Sequence, residues 1–281
     1  MRVGFLGPSG TFAEEALRAS APREVEELPF ATVWETVMAV QEGAVDQAVV
    51  PIENSLEGSV TTTLDVLAGD ASGVRIVAEV VRPITHCLIA RDGVAIEDVA
   101  RVLSHPQALA QCARFLHERL PGARTEVAAS TAEAVRSAVA TAEPLAAIGT
   151  RLAAELYEGS VLAEGIEDRP DNLTRFVWLA RAGTAPHRAP DKTSVVFWGF
   201  NDESPGALVG VLNEFAEREV NLTKIESRPR RVQLGHYMFF ADLVGGAEEP
   251  AVREALGALS ERVQTLKVLG SYPVLPAKPR R

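Results

Sequence analysis

Short apolar runs alternate with helix-periodic stretches through the first 163 residues, and each polar loop falls between a run and the helix after it. RVGFL at 2–6 passes through GPSGT into a helical period at 12–19. A strand into Pro29 and Phe30 precedes a helix at 33–41, stopped by Gly43. AVVPI, within a strand at 46–52, passes through ENSLEGS into a helix at 60–67. Residues 74–90 read as two strands joined by a crossover, broken at Arg82 and Pro83. VL at 102–103 passes through SHPQ into a helix reaching about 119, with Pro106 where its missing N–H costs nothing. Strand and helix periods follow at 125–128, 131–140, 146–149, 151–157 and 161–163. A parallel neighbour strand is reached only by a crossover, so strand–loop–helix units in series imply an α/β fold around a mostly parallel sheet.

The chain of 281 residues exceeds the usual single-domain length, so at least two domains are expected. AGTAPHRAPDK at 182–192 carries two prolines and no apolar run, as linkers do. Beyond it come a strand at 193–200, a helix opened by SPGAL, strands at 221–227 and 235–244, a helix at 249–262 and a strand at 263–272. The order βαββαβ is that of a ferredoxin-like unit. A four-stranded sheet of this length has a marginal core alone, which makes pairing with another copy attractive.

Charge and composition exclude several classes. Thirty-eight acidic residues against 28 basic ones give a net charge of −10, which argues against nucleic acid and anionic membrane surfaces as partners. Two cysteines make no disulfide framework and fit a reducing cytoplasm. The five histidines are scattered without zinc spacing, so no metal is expected. Met1 runs directly into a strand, so neither an export leader nor a membrane span is expected.

Four loops remain as candidates for chemistry: GPSGT at 7–11, ENSLEGS at 53–59, SHPQ at 104–107, and NLTRF at 172–176. The first three each precede a helix, whose free N–H groups bind carboxylate or phosphate without net positive charge. GPSGT lacks the GK[ST] ending of a nucleotide phosphate loop. Ser, Thr and Asn are also ordinary caps and turn formers, and His105 suits a cap as well as a base. In the fourth loop, PDNLTRFVWLA at 170–180 places Thr174 and Arg175 where a strand beginning near Thr174 meets its loop. Loops from two sheets meeting in a cleft would form a small-ligand site.

These blocks carry a family resemblance. GPSGTFAEEA, VVPIENSLEGSV, LSHPQALAQC and NLTRFVWLA, in that order, resemble the catalytic domain of prephenate dehydratase. PGALVGVLNEFAEREVNLTKIESRPRR followed by GHYMFFADL resembles that family's ACT regulatory domain, with its GAL and ESRP motifs. No chorismate mutase segment precedes Met1, so the likeness is to the monofunctional form. It implies a two-lobed α/β catalytic domain, periplasmic-binding-protein-like, over 1–181, with lobes of roughly 1–80 plus 160–181 and 81–159. A linker at 182–192, an ACT domain at 193–273 and a tail at 274–281 would follow. The tail's PAKPRR end is expected to lack fixed structure.

The reaction implied converts prephenate to phenylpyruvate, water and carbon dioxide. Aromatisation drives it, so no cofactor, metal or covalent nucleophile is needed, only anion binding and help for the departing hydroxyl. The resemblance puts the key hydroxyl on Thr174 and leaves the origin of the proton open. Ser9, Gly10, Thr11, Asn54, Ser55, Ser104, His105 and Gln107 would hold the substrate. Arg175 would attract a carboxylate or make a structural ion pair, and Phe176 would be wall or core. L-Phenylalanine would bind as effector at Gly206, Ala207, Leu208, Asn221, Leu222 and the Glu226, Ser227, Arg228, Pro229 motif, where two copies of a homodimer or homotetramer meet. The competing readings are arogenate dehydratase and a two-lobed solute receptor. The receptor would be expected to lack the ACT unit and to carry an export signal.

Overall fold

The computed structural model describes residues 1–275 apart from positions 23, 187, 202, 203 and 233, so PAKPRR at 276–281 lies outside the described residues. The first lobe sets the strands Glu26–Phe30, Arg2–Leu6 and Gln47–Asn54 in parallel. Leu173–Arg181 runs antiparallel beside Gln47–Asn54, and Val74–Pro83 lies on its far side. Helix Phe12–Ser20 covers one face of this sheet, burying Ala13, Ala16 and Leu17 against Phe5, Val49, Phe176 and Trp178. Helices Val33–Gln41 and Thr61–Ala68 cover the other, against Val50, Ile52, Val177 and Leu179. Strand residues alternate between faces, so Leu173–Arg181 serves two cores at once.

The second lobe is a five-stranded sheet in the order Ser160–Glu164, Cys87–Ala90, Leu145–Gly149, Arg101–Ser104, Arg124–Val127. Ser160–Glu164 pairs antiparallel with Cys87–Ala90, so this lobe reaches Glu164 rather than ending at 159. Two segments cross between the lobes, one at 84–86 and one at 165–172. They run side by side: Ile84 N–H donates to Asn172 O at 2.9 Å, and Gly165 N–H to His86 O at 3.0 Å.

The C-terminal domain has the expected βαββαβ order, with helices Ala207–Ala216 and Pro250–Arg262 on one face of its four strands. The sheet of this domain joins that of the first lobe. Its strand Thr265–Tyr272 meets Val74–Pro83 in parallel at Gly270 and Ile76, giving one 11-stranded sheet. Val274–Leu275, taken above as part of a tail, pairs with Glu79 and Val80. Val196, Met238, Phe240, Leu269 and Tyr272 of this domain bury themselves in the same core as the first lobe's second face. The two domains therefore share a hydrophobic core.

Gly270 sits where this junction is tightest. A Cβ there would stand 2.3 Å from the Ile76 carbonyl oxygen and 2.7 Å from the Ile76 Cβ. Because the nearest atom is backbone, the strands must part to admit a methyl group. Gly270→Ala is expected to lower stability by about 1–3 kcal/mol, the usual scale of overpacking, read as a fall in melting temperature. An unchanged melt would show that the junction gives way freely.

Candidate active site

The cleft between the lobes encloses about 420 Å³ and is lined from both sides. Gly7 and Thr11 come from the first loop, Asn54 from the second, His105 and Gln107 from the third, and Thr174 and Phe176 from the fourth. Ser130 and Thr131, which begin helix Thr131–Ala140, and His86 and Gln111 complete the polar lining. No Lys or Arg lines it among the described residues. Positive potential comes instead from helix starts: Phe12–Ser20, Thr61–Ala68 and Thr131–Ala140 all open at its wall.

Thr174 is tied to the second loop. It stands directly opposite Asn54 across the antiparallel strand pair, and Asn54 Nδ2 donates to its Oγ1 at 2.8 Å. Accepting a bond on one lone pair leaves the hydroxyl proton to be given to another acceptor, and Thr174 lines the cleft. Asn54 is fixed in turn, because Leu56 and Glu57 N–H donate to its Oδ1 at 2.9 and 3.0 Å. Asn54 Nδ2 also donates to Asn172 Oδ1 at 2.8 Å. Asn172 Nδ2 donates to Gln111 Oε1 at 3.2 Å, and His86 Nε2 lies 3.1 Å from that same oxygen. Burial holds His86 below the ordinary histidine range, against the Gln111 bond and the Glu167 charge, which pull the other way.

Several expected site residues stand elsewhere. Ser104 is fully buried and donates to Ile148 O at 2.7 Å, so its hydroxyl ties strands of the second sheet together. Ser55 accepts the Leu173 N–H at 2.9 Å and supports the strand end rather than facing the cleft. Ser9 and Gly10 serve to fasten the loop. Tyr157 OH donates to Ser9 O at 2.8 Å, and Thr150 Oγ1 to Gly10 O at 2.7 Å, both from the opposite lobe. Gly10 N–H donates to the buried Glu14 carboxylate. Burial pushes the Glu14 carboxyl up, opposed by that N–H and by Arg18. Thr11 Oγ1 donates to Leu6 O at 2.9 Å, and His105 Nδ1 accepts the Gln107 N–H at 3.3 Å as a helix cap. Phe176 is both wall and core.

Arg175 faces away from the cleft, because Thr174 and Phe176 on either side of it face in. Its Nη1 donates to Glu79 at 2.9 Å and to Asp242 of the C-terminal domain at 2.7 Å. Nε stands 3.0 Å from Glu53, an ion-pair contact without hydrogen-bond alignment. Lys192 donates to Glu79 at 2.7 Å, and Ser194 to Asp242 at 2.5 Å. Burial opposes the charge on Arg175, but Asp242, Tyr272 and Glu79 outweigh it, so the guanidinium stays ionised. Of the two roles open from sequence, the structural ion pair is the one the contacts display.

The effector candidates separate into two groups. Gly206, Ala207 and Leu208 line a hollow of about 390 Å³ with Phe200, Tyr237 and Phe239. Gly206 has φ of +83°, which favours glycine at that helix cap. Asn221 precedes, and Leu222 and Glu226 to Pro229 lie on, the outermost strand of the large sheet. Arg228 pairs with Asp65 at 2.9 Å and Glu226 hydrogen-bonds Ser59, so both side chains turn towards the first lobe. Among the described residues, no three His, Cys, Asp or Glu side chains cluster to hold a metal ion. No described helix is long and apolar enough to cross a membrane.

A two-lobed α/β domain with a cleft of neutral donors between its lobes, carrying a ferredoxin-like unit on a shared sheet, has the form of a protein that binds or converts a small ligand. The prephenate dehydratase family model matches residues 3–184, and the ACT domain model matches 196–261. The chain belongs to the prephenate dehydratase family. It is 41% identical over 286 residues to the prephenate dehydratase of Mycolicibacterium vanbaalenii, covering 96% of this chain and 90% of that one. Its fold matches the crystal structure of prephenate dehydratase in complex with L-Phe from Arthrobacter aurescens at a TM-score of 0.90, with 40% identity over all of this chain and 92% of the other. It also matches GqqA, described as a novel type of quorum quenching acylase, at 0.85, with 30% identity and coverage of 98% and 99%.

Proposed function

We propose that the chain catalyses the decarboxylative dehydration of prephenate to phenylpyruvate. The observation that carries this is the Thr174 hydroxyl: its lone pair is taken by Asn54, and it lies in a cleft between helix starts. Prephenate is a dianion whose ring becomes aromatic when it loses carboxylate and hydroxyl together. The C1–carboxylate bond breaks to release carbon dioxide, and its electron pair moves through the ring. The C4–oxygen bond breaks, and the oxygen leaves as water with one added proton. Thr174 donates a hydrogen bond to that oxygen as negative charge develops on it, where such a donor counts most. The N–H groups at the openings of helices Phe12–Ser20 and Thr131–Ala140 hold the carboxylates.

Purified protein is expected to release phenylpyruvate from prephenate, and to act more slowly on arogenate, in which an ammonium replaces the side-chain carbonyl. Faster turnover of arogenate would move the assignment to that substrate. Amide hydrolysis with neither dehydration would favour the acylase reading that one relative's name suggests.

L-Phenylalanine is the effector this reading assigns, bound beside Gly206 to Leu208 where a second copy completes the hollow. The open edge strand Leu222–Pro229 and the exposed Val209, Ile225 and Tyr237 support a dimer or tetramer. Calorimetry is expected to show phenylalanine binding, with a matching change in prephenate turnover, and light scattering to show an oligomer. A silent titration would remove the effector. Cys87 and Cys112, both buried and neither in a disulfide, fit a cytoplasmic location.

A further inference from the structure

The polar chain behind Thr174 has a direction, and that direction ends on His86. It can be read from its backbone end. Leu56 and Glu57 N–H both donate to the oxygen of the Asn54 amide, so this amide cannot be turned over without setting its NH₂ against two donors. Asn54 Nδ2 then faces only acceptors, Thr174 Oγ1 and Asn172 Oδ1 at 2.8 Å and Leu173 O at 3.2 Å, so Asn172 must turn its oxygen towards it. Asn172 consequently presents its NH₂ to Gln111, and Gln111 must answer with oxygen. The oxygen already accepting from Asn172 is the one 3.1 Å from His86 Nε2, so Nε2 must carry a proton. The other ring nitrogen, Nδ1, is buried without a hydrogen-bond partner, and in a neutral ring protonated at Nε2 it carries the lone pair.

His86 is well placed to hold such a chain still. It lies in the first crossing between the lobes, with its N–H donated to Glu167 and its carbonyl accepting from Gly165 and Ile166 of the second crossing. The Phe12 ring meets the imidazole edge-on at 5.4 Å between centroids. The two crossings are thus joined at this residue, as they are at Ile84 and Asn172.

We propose that His86 is a positioning residue, held as its Nε2–H tautomer, which anchors the amide chain Gln111–Asn172–Asn54 and so aims the Thr174 proton into the cleft. Burial keeps the imidazole neutral, since it lowers the proton affinity of the ring more than Gln111 and Glu167 raise it. The proposal rests on the prephenate reading. Wild-type turnover of prephenate is the control that separates failure of that reading from failure of this one.

Two variants and one spectrum test it. Glutamine carries its amide near the place of Nε2, and asparagine near that of Nδ1. His86→Gln is therefore expected to keep kcat within about threefold of wild type, and His86→Asn to lower it by about tenfold to a hundredfold, the scale of a misplaced catalytic group. KM should move by less than threefold in either. The ¹⁵N spectrum of the wild-type protein at neutral pH should show one buried histidine, lost in both variants, as a neutral Nε2–H tautomer. An Nδ1–H tautomer, or equal kcat for the two variants, would overturn the proposal. If His86→Asn does not fold, the tautomer and the His86→Gln kinetics still decide.

Discussion

Thr174→Val lowers kcat for prephenate by about two to four powers of ten, the range for loss of one group that acts on a departing proton or hydroxyl. That corresponds to about 3–5 kcal/mol of barrier. Valine keeps the branched shape and the strand preference of threonine, so it removes the hydroxyl and little else. The fold should tolerate it, because the Asn54 amide retains Asn172 Oδ1 at 2.8 Å and Leu173 O at 3.2 Å as acceptors. Single-turnover release of phenylpyruvate, with a thermal melt on the same sample, checks both halves. Thr174→Ser should recover a large part of the loss, since it restores a hydroxyl that Asn54 can orient. Turnover by the valine variant within about threefold of wild type would remove Thr174 from the chemistry. If Thr174 acts through its hydroxyl, Asn54→Ala should also lower kcat, because the proton is then free to turn away from the cleft.

How much of this was legible in the sequence depends on how local each cause is. Strand–loop–helix order is a local signal, and the loops bearing Thr11, Asn54, Gln107 and Thr174 are marked by their place after a strand or at the start of one. What the sequence hid depends on facing. Ser104 and Ser55 look like ligands in a polar loop, but the pleat and the strand ends turn them to Ile148 and Leu173. Arg175 sits beside Thr174 in the chain, and period two sends it to the opposite face of the sheet. His86, Gln111 and Asn172 are hidden for another reason. Their meaning lies in a hydrogen-bonded path across three segments, and no spacing within one segment announces it. The one available signal for His86 was a histidine where an apolar strand had just been broken by Arg82 and Pro83, a place where a chain changes lobes.

The shared sheet makes Arg175 the test of how the two domains are held together. Its guanidinium is nine-tenths buried between Glu79 of the catalytic lobe and Asp242 of the C-terminal domain. Arg175→Met keeps much of the volume and strands the carboxylates. Lys192 still neutralises Glu79, while Asp242 keeps only the Ser194 hydroxyl among the bonds described. Removing one partner of a buried pair typically costs 3–5 kcal/mol, and the retained Lys192 puts the expectation at about 3. For a chain of this size that corresponds to a fall in melting temperature of roughly 6–12 °C. KM for prephenate should change by less than about threefold, because Arg175 does not line the cleft. A rise in KM of a hundredfold with an unchanged melt would return Arg175 to carboxylate binding. Asp242→Asn should cost less in the methionine background than in wild type, since the charge it removes has then already lost its partner. A coupling of about 0.5–3 kcal/mol is the range for residues in direct contact. Strict additivity would mean that the ion pair across the domain boundary contributes nothing, and that the common core of Val196, Phe240, Leu269 and Tyr272 alone holds the C-terminal domain in place.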